Sequence, residues 1–413
     1  MTQANLSILH SPIDIGASDL ITGNRMLSAC ILVVDDVSVN RKILTSQLQA
    51  RGYTNILHAK DGREALEISH ARRPDLVILD LMMPEVDGFA YCRAIRQDNS
   101  FSNMPIIVQT ALDEIEHKIN AFEHGASDYL CKPVDGGELE ARVRVHLINK
   151  FLIHDLSTHN ERMTQEMEAA RAMQNRLMPS ETHIKMCERV FNMSIGTHFE
   201  TSSLLGGDCW GMRPICDDKL AVFIYDFSGH GITAAMNIFR MHTIMRDFNH
   251  IAADPGAFLT NINRHLHPLL ERNEFATMFY GVIDIAASCL LYATAASTTP
   301  MLYSRQQEQV LFLANRGFPL GVVSHANYET KYVPMLPGDL LLLFSDGLVE
   351  SRDKKGECLP EQRVADLTRE VLQQNRPNPT HALLGELRGM RKRHSEGPLF
   401  DDLTLSAYAR NMD

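Results

Sequence analysis

Between Glu138 and Leu177 the chain contains neither glycine nor proline, and no alternating strand pattern. Structureless loops of such length are uncommon in compact domains. The stretch therefore predicts one long helix, about 60 Å end to end at a rise of ~1.5 Å per residue. A rod that long divides the chain. Leu156, Met163, Ala170 and Leu177 recur every seven residues, with Ile153 and Met167 on the companion positions and Asn160 and Gln174 interrupting that stripe. This pattern predicts a coiled-coil seam in a homodimer; the alternative is an amphipathic helix packed on its own chain. Pro179 ends the helix.

Before this helix, five short apolar runs alternate with helical patterns. The strand candidates are 31–34, 55–58, 76–79, 105–109 and 128–131, with helices between them such as 40–51 and 63–72. Near-continuous apolar strands suit a parallel sheet covered on both faces. The expected fold is an α/β doubly wound parallel sheet of five strands, with ligands beyond the carboxyl ends of the strands. Asp35, Asp36, Asp80, Thr110 and Lys132 all fall at such ends.

After Pro179 the pattern changes. Residues 220–225, 279–285, 290–294, 340–344 and 404–408 read as strands, and 232–248, 255–270 and 361–374 as helices. Strands joined by short turns predict antiparallel sheets in an α+β sandwich. A chain of 413 residues with 45% apolar content has room for two such cores.

Composition narrows the function classes. A formal net charge of −11, with no basic run longer than Arg391-Lys392-Arg393, argues against nucleic-acid binding. Eight scattered cysteines with no Cys-x-x-Cys pair read as reduced thiols. No run approaches ~18 apolar residues, so no membrane span is expected. The first 28 residues lack the basic and apolar regions of a signal peptide and read as a flexible tail. The expected compartment is the cytoplasm.

Two acidic sets carry the chemistry. In the first, adjacent Asp35 and Asp36 close one strand and Asp80 another; together they can hold a hard cation such as Mg²⁺, which keeps waters and leaves room for phosphate. A carboxylate beside that ion can attack phosphorus and become an acyl phosphate, with a lysine neutralising the transferring oxygens. Asp80, followed by Leu-Met-Met-Pro84 and Asp87-Gly88, is the best nucleophile.

These residues closely resemble a response-regulator receiver domain. The matching elements are Val33-Val34-Asp35-Asp36, Leu79-Asp80-Leu-Met-Met-Pro84, Asp87-Gly88, Thr110-Ala111 and Tyr129-Leu-Cys-Lys132-Pro133. The resemblance implies that Asp80 is the phosphoacceptor and that Asp35, Asp36, Asp80 and the Met82 backbone carbonyl bind Mg²⁺. It implies that Lys132 contacts the phosphoryl group, Thr110 shifts towards it, and Tyr129 is the aromatic switch. The residue before Pro133 is held extended, and the peptide is a candidate for the cis form.

The second set is Asp208 after Gly206-Gly207, Asp226 opening Asp-Phe-Ser-Gly-His-Gly231, Asp346 in Ser-Asp-Gly-Leu348, and Asp401 in Asp-Asp-Leu-Thr404. Four aspartates without cysteine indicate Mg²⁺ or Mn²⁺, not zinc. Two such ions a few ångströms apart activate a water for in-line attack on a phosphate monoester. A nucleotide-hydrolase Gly-x-x-x-x-Gly-Lys loop is absent.

Residues 180–413 resemble the type 2C metal-dependent protein phosphatases (PPM) in their SpoIIE/RsbU-like branch. The motifs include Gln174-Asn-Arg-Leu-Met-Pro179, the four aspartate motifs, Phe275-Ala-Thr-Met-Phe279 and Pro319-Leu-Gly321. The resemblance implies that Asp208, Asp226, Asp346 and Asp401 ligate two Mn²⁺ or Mg²⁺, that Phe227 lends a backbone carbonyl, and that the substrate is phosphoserine or phosphothreonine in a protein, usually an anti-sigma-factor antagonist. His230 is a candidate general acid or a support of the metal-site turn. Two places depart from the branch: Gly211 stands where it usually has an acid, and Ala295-Ala-Ser-Thr-Thr-Pro300 where it has Ala-Gly-His. They bear on any third metal or substrate contact.

The expected organisation is a tail at 1–28, a receiver at 29–147, a helical linker at 148–179 and a phosphatase at 180–413. A histidine kinase would phosphorylate Asp80 and so control the phosphatase. The rival reading is a non-catalytic adaptor that binds a sigma-factor regulator.

Overall fold

The computed structural model describes residues 23–111, 115–229, 231–313, 317–395, 397 and 399–412. It divides into two compact units, Met1–Met163 and Thr164–Asp413.

In the first unit, α1 (Gly23–Leu27) precedes a βα alternation: β1 (Ile31–Val34), α2 (Ser38–Gln49), β2 (Ile56–Ala59), α3 (Gly62–Arg72), β3 (Leu76–Asp80), α4 (Gly88–Gln97), β4 (Ile106–Ala111), α5 (Ile115–Glu123) and β5 (Asp128–Lys132). The strands form one parallel sheet in the order β2-β1-β3-β4-β5. β1 and β3 are buried along their whole length, because apolar cores cover both faces of the sheet. Asp61 and Asp87 cap α3 and α4 by accepting hydrogen bonds from the backbone N–H groups of Glu64 and Ala90.

Residues 23–27, expected to belong to the loose tail, are helical. Arg25 pairs with Asp155 at 3.1 Å and lies over the Phe151 ring at 4.5 Å. Nothing in the sequence of this short turn shows its partners, which lie about 130 residues away. The remainder of the tail, 1–22, lies outside the described residues.

Most of the glycine- and proline-free stretch lies in one helix, α6 (Gly136–Asn175), 40 residues long, which opens on Gly136 and Gly137 and gives way to a turn before the expected heptad position Leu177. Its first turns belong to the core of the first unit: Leu139, Val143, Leu147 and Phe151 recur every four residues and are buried. Beyond them Leu152, Ile153, Leu156 and Met163 are exposed.

The second unit opens with α7 (Glu181–Val190), capped by the Ser180 hydroxyl. Its strands are β6 (Met193–Glu200), β7 (Asp208–Cys216), β8 (Lys219–Phe227), β9 (Ala276–Asp284), β10 (Cys289–Ala295), β11 (Met301–Ser304), β12 (Gln309–Phe312), β13 (Lys331–Pro334), β14 (Leu340–Phe344) and β15 (Leu403–Arg410). They form two antiparallel sheets, β13-β10-β9-β8-β7 and β12-β11-β14-β15-β6. The inner faces meet in a core that includes Trp210, Val222, Phe279, Leu341 and Tyr408. Helices α8 (Ile232–Asp247) and α9 (Pro255–Leu266) cover the first sheet. Helices α11 (Glu361–Gln373) and α12 (Pro379–His394) cover the second. A short α10 (Asp346–Val349) follows β14. The result is the expected sandwich of antiparallel sheets flanked by helices. Among the described residues, no helix is long and apolar enough to cross a membrane.

Candidate functional site

The parallel sheet brings the first acidic set together. Asp35 follows β1 and Asp80 ends β3, and these are neighbouring strands. Ligand oxygens of Asp35, Asp36 and Asp80 all lie within 4.8 Å of one another. Asp35 and Asp80 are buried and Asp36 is exposed, so the cluster opens to solvent on one side. Asp35 is held by the Val37 N–H at 2.8 Å and by the Asn40 side-chain amide at 3.2 Å. Lys132, at the end of β5, places Nζ 2.6 Å from Asp80 Oδ2 and 3.3 Å from Asp35 Oδ2. Burial pushes the Asp80 carboxyl up against the opposing pull of Lys132. For Lys132, burial pulls the ammonium down, but the hydrogen bond and charge of Asp80 outweigh it and its pKa is raised. The step from Lys132 to Pro133 is a cis peptide.

Thr110 is buried in β4 opposite Cys131 of β5. Tyr129 is half-buried, with its ring edge-on to Phe122 at 6.2 Å and the Arg142 guanidinium 5.3 Å above it. The Met82 side chain is 66% exposed, and its N–H points back to Asp80 Oδ1 at 3.4 Å.

The second set assembles from four strand ends of the sandwich. Asp208 begins β7 and Asp226 lies near the end of β8, and the two are register partners. Asp346 opens α10 after β14, and Asp401 precedes β15, the hydrogen-bonded neighbour of β14. Burial raises Asp208 well above the carboxylate range, with the Asp226 charge adding to it. Burial, then the charges of Asp346 and Asp401, push Asp226 up to about 8. Burial and Asp401 push Asp346 up to about 6. Burial and neighbouring carboxylates together hold Asp208, Asp226 and Asp346 above the usual carboxylate range. Asp346 Oδ1 is buried and makes no hydrogen bond. An orphaned acceptor among mutually repelling carboxyls fits a cation site. The four are more spread than the first set: among the described residues, only the Asp35 trio meets within 4.8 Å.

The turn geometry demands glycine at two places. A Cβ on Gly207 would lie 2.8 Å from the Phe227 carbonyl oxygen and 3.0 Å from Asp226 Oδ1. A Cβ on Gly347 would strike the Asp402 carbonyl at 2.1 Å. His230 lies outside the described residues.

Both departures have a structural setting. Gly211 is the cross-strand partner of Phe223, whose ring lies 2.3 Å from where a Cβ would stand. The aromatic ring occupies the space an acidic side chain would need. Ala296, Ser297 and Thr298 line a cavity of about 340 Å³ together with Asp226 and Asp346. Ala296 holds φ +51°, a left-handed conformation that favours glycine. The Thr298 hydroxyl donates to the Phe344 carbonyl.

Sequence reading assigned no role to three residues that hold the site. Thr404 donates its hydroxyl to Asp208 at 2.5 Å. Asp402 is buried and accepts the Gly207 N–H at 2.7 Å. Gln174, read only as a polar break in a helical stripe and as part of a motif, is 1% exposed. Its amide donates to the Gly206 carbonyl at 2.8 Å and accepts the Gly206 N–H at 3.4 Å. For Asp402 and Thr404 the available signal was their two-residue spacing, carried on to buried Ser406: Thr404 and Ser406 share one face of β15, and Asp402 immediately precedes that strand.

Comparison with known proteins adds to this geometry. The Response regulator receiver domain model matches residues 31–144, and the Stage II sporulation protein E (SpoIIE) model matches residues 216–411. The chain thus joins a response-regulator receiver domain to a SpoIIE-type phosphatase domain. A probable transcriptional regulator ycf27 of Guillardia theta is 47% identical over 117 residues, 28% of this chain and 44% of that protein. A putative response regulator from Chloroflexus aurantiacus J-10-fl is 37% identical, covering 29% of this chain and 98% of its own, with a TM-score of 0.28. The SiaA-PP2C domain of Pseudomonas aeruginosa is 19% identical, covering 62% of this chain and 99% of its own, with a TM-score of 0.53; that likeness is one of fold. The chain spans about half or less of the length of the curated relatives it matches.

Proposed function

We propose that this chain is a two-component response regulator whose output is metal-dependent hydrolysis of phosphoserine or phosphothreonine in a protein, controlled by phosphorylation of Asp80. The observation that carries the hydrolytic reading is the convergence of Asp208, Asp226, Asp346 and Asp401 from four strand ends, with Asp346 Oδ1 buried and unpaired. These four, with the Phe227 carbonyl, would hold two Mn²⁺ or Mg²⁺. When bound, such ions supply the charge that activates water for in-line attack and that stabilises the phosphoryl oxygens. The chain's own residues fix the geometry: Thr404 orients Asp208, and the 340 Å³ cavity beside Asp226 and Asp346 gives the phosphorylated side chain room. A small anti-sigma-factor antagonist is the proposed substrate; this part rests on the SpoIIE match.

In the receiver, Asp35, Asp36, Asp80 and the Met82 carbonyl would hold Mg²⁺. An Asp80 oxygen would attack the phosphorus of a kinase phosphohistidine as the P–N bond breaks. Lys132, already 2.6 Å from Asp80, would then pair with the new phosphoryl oxygens, while Thr110 and Tyr129 report the change. The proposed domains are a receiver at 29–147, a linker at 148–179 that pairs with a second copy, and a phosphatase at 180–413.

The test incubates a phosphoserine-bearing antagonist protein with the full chain and Mn²⁺ or Mg²⁺. Wild type should release phosphate, and Asp346→Ala should lose at least two orders of magnitude in rate. Partner binding without phosphate release by wild type would leave the chain an adaptor.

A further inference from the structure

The Asp-Asp pair before β15 divides its labour. Asp401 is exposed, and its Oδ1 accepts the Asp402 N–H at 2.8 Å. Asp402 turns inward and is 2% exposed. A carboxylate buried that deeply is costly unless every lone pair finds a donor, and here each oxygen takes two. Oδ1 accepts the Ser202 N–H at 2.7 Å and the Ser202 hydroxyl at 3.1 Å. Oδ2 accepts the Gly207 N–H at 2.7 Å and the Asp208 N–H at 3.4 Å. None of these four donors leaves it free to bind a cation.

The backbone of Asp402 ties down a further loop. Its carbonyl accepts the Ser345 hydroxyl at 2.9 Å, and Ser345 in turn accepts the Thr404 N–H at 2.9 Å. Gly206 and Gly347 pack directly on Asp402: a Cβ at Gly206 would fall 2.2 Å from Oδ2, and one at Gly347 would fall 2.1 Å from the carbonyl oxygen. One residue therefore touches the loop before Asp208, the turn before Asp346, and Asp401 itself.

We propose that Asp402 is a positioning residue for the cation site: its carboxylate grips the Gly206-Gly207 turn and so fixes the aim of Asp208 relative to Asp346 and Asp401. The inference rests on the phosphatase reading for its purpose, but its geometry stands apart from catalysis. Charge-assisted hydrogen bonds from backbone N–H groups are roughly twice as strong as neutral ones. Asparagine at 402 keeps the shape and loses one of the two acceptor oxygens, so one side of the grip is released. Glutamate keeps the charge but adds a methylene where Gly206 leaves no space.

The experiment titrates Mn²⁺ into the full-length, metal-free chain by calorimetry and follows bound Mn²⁺ by electron paramagnetic resonance. Asp402→Asn should weaken Mn²⁺ binding about tenfold or more, broaden its resonance, and lower kcat more than it raises KM, while circular dichroism stays that of wild type. Unchanged Mn²⁺ affinity and resonance in a folded Asp402→Asn would overturn the proposal. Hydrogen exchange on the metal-free wild type tests it without any variant: the Gly207 amide should exchange at least 100-fold more slowly than exposed loop amides. Exchange at loop rates would equally overturn it. A wild type that binds Mn²⁺ tightly, loses it on Asp402→Asn, yet releases no phosphate would sink the phosphatase reading and leave this one standing.

Discussion

At the scale of single residues, the second acidic set is a balance between burial and repulsion. Asp226 is pushed to about 8 and Asp346 to about 6, first by burial and then by neighbouring carboxylates. Unfolded aspartates titrate near ~3.9. The folded, metal-free protein thus holds protons that the unfolded chain has released, so this contribution to stability is full below about pH 4 and fades as pH rises through 6 to 8. The melting temperature in EDTA should fall across that window, and Asp226→Asn should flatten the fall. Adding Mn²⁺ at pH 7 should release protons and restore stability. A metal-free melting temperature that climbs from pH 6 to 8, or an Asp226→Asn curve parallel to wild type, would contradict the assignment. Of this site, the four aspartates were legible in the sequence because each borders an apolar run. The part played by Asp402 was not: its two-residue spacing from Thr404 hints at a shared face, but nothing in one dimension shows that this carboxylate, unlike its neighbour Asp401, turns inward to four N–H and O–H donors.

At the scale of elements, legibility followed periodicity. Strands with continuous apolar runs, such as β1, β3 and β14, were placed within a residue, since burial on both faces leaves no alternative pattern. The edge strands β12 and β13 were not found: all of their residues are exposed or half-buried and none is fully buried. β7 was missed because Gly211 and Pro214 break its β propensity. The long helix was predicted from absent glycine and proline, but the heptad reading treated Gln174 only as a defect in a seam. Its side chain instead binds both polar groups of the Gly206 backbone. Gln174→Ala removes those bonds in a buried setting and should cost about 1–3 kcal/mol. It should also blunt any effect of Asp80 phosphorylation on turnover, because the last turn of α6 holds Gly206, next to the Gly207 and Asp208 N–H groups that Asp402 holds. Guanidinium melts give the first quantity, and paired assays with and without acetyl phosphate the second. A variant as stable and as responsive as wild type would remove Gln174 from the path of control.

At the scale of the whole molecule, a receiver domain and a SpoIIE-type phosphatase domain share one chain; α6 begins in the core of the first unit, and its last turn, in the second, holds Gly206. Control requires that phosphorylation favour one of two arrangements of that connection; a ligand with no differential affinity shifts nothing. The receiver is poised for such a bias. Lys132 now bonds both Asp80 and Asp35, and a phosphoryl group on Asp80 would draw its ammonium to new oxygens and loosen the hold on Asp35. Exposed Leu152, Ile153, Leu156 and Met163 offer an apolar stripe beyond the receiver core. Stripes of this kind commonly bury against a second helix. Beryllofluoride with Mg²⁺, an aspartyl-phosphate mimic, should therefore change both the phosphatase rate and the dimer fraction seen by light scattering. Asp80→Ala should abolish both changes, and Leu156→Lys should reduce dimerisation and uncouple the rate from the mimic while leaving Mn²⁺ binding intact. If the mimic alters the rate of a chain that stays monomeric throughout, the signal passes along a single helix. The seam reading of residues 148–179 then falls while the control of Asp208 through Gln174 survives.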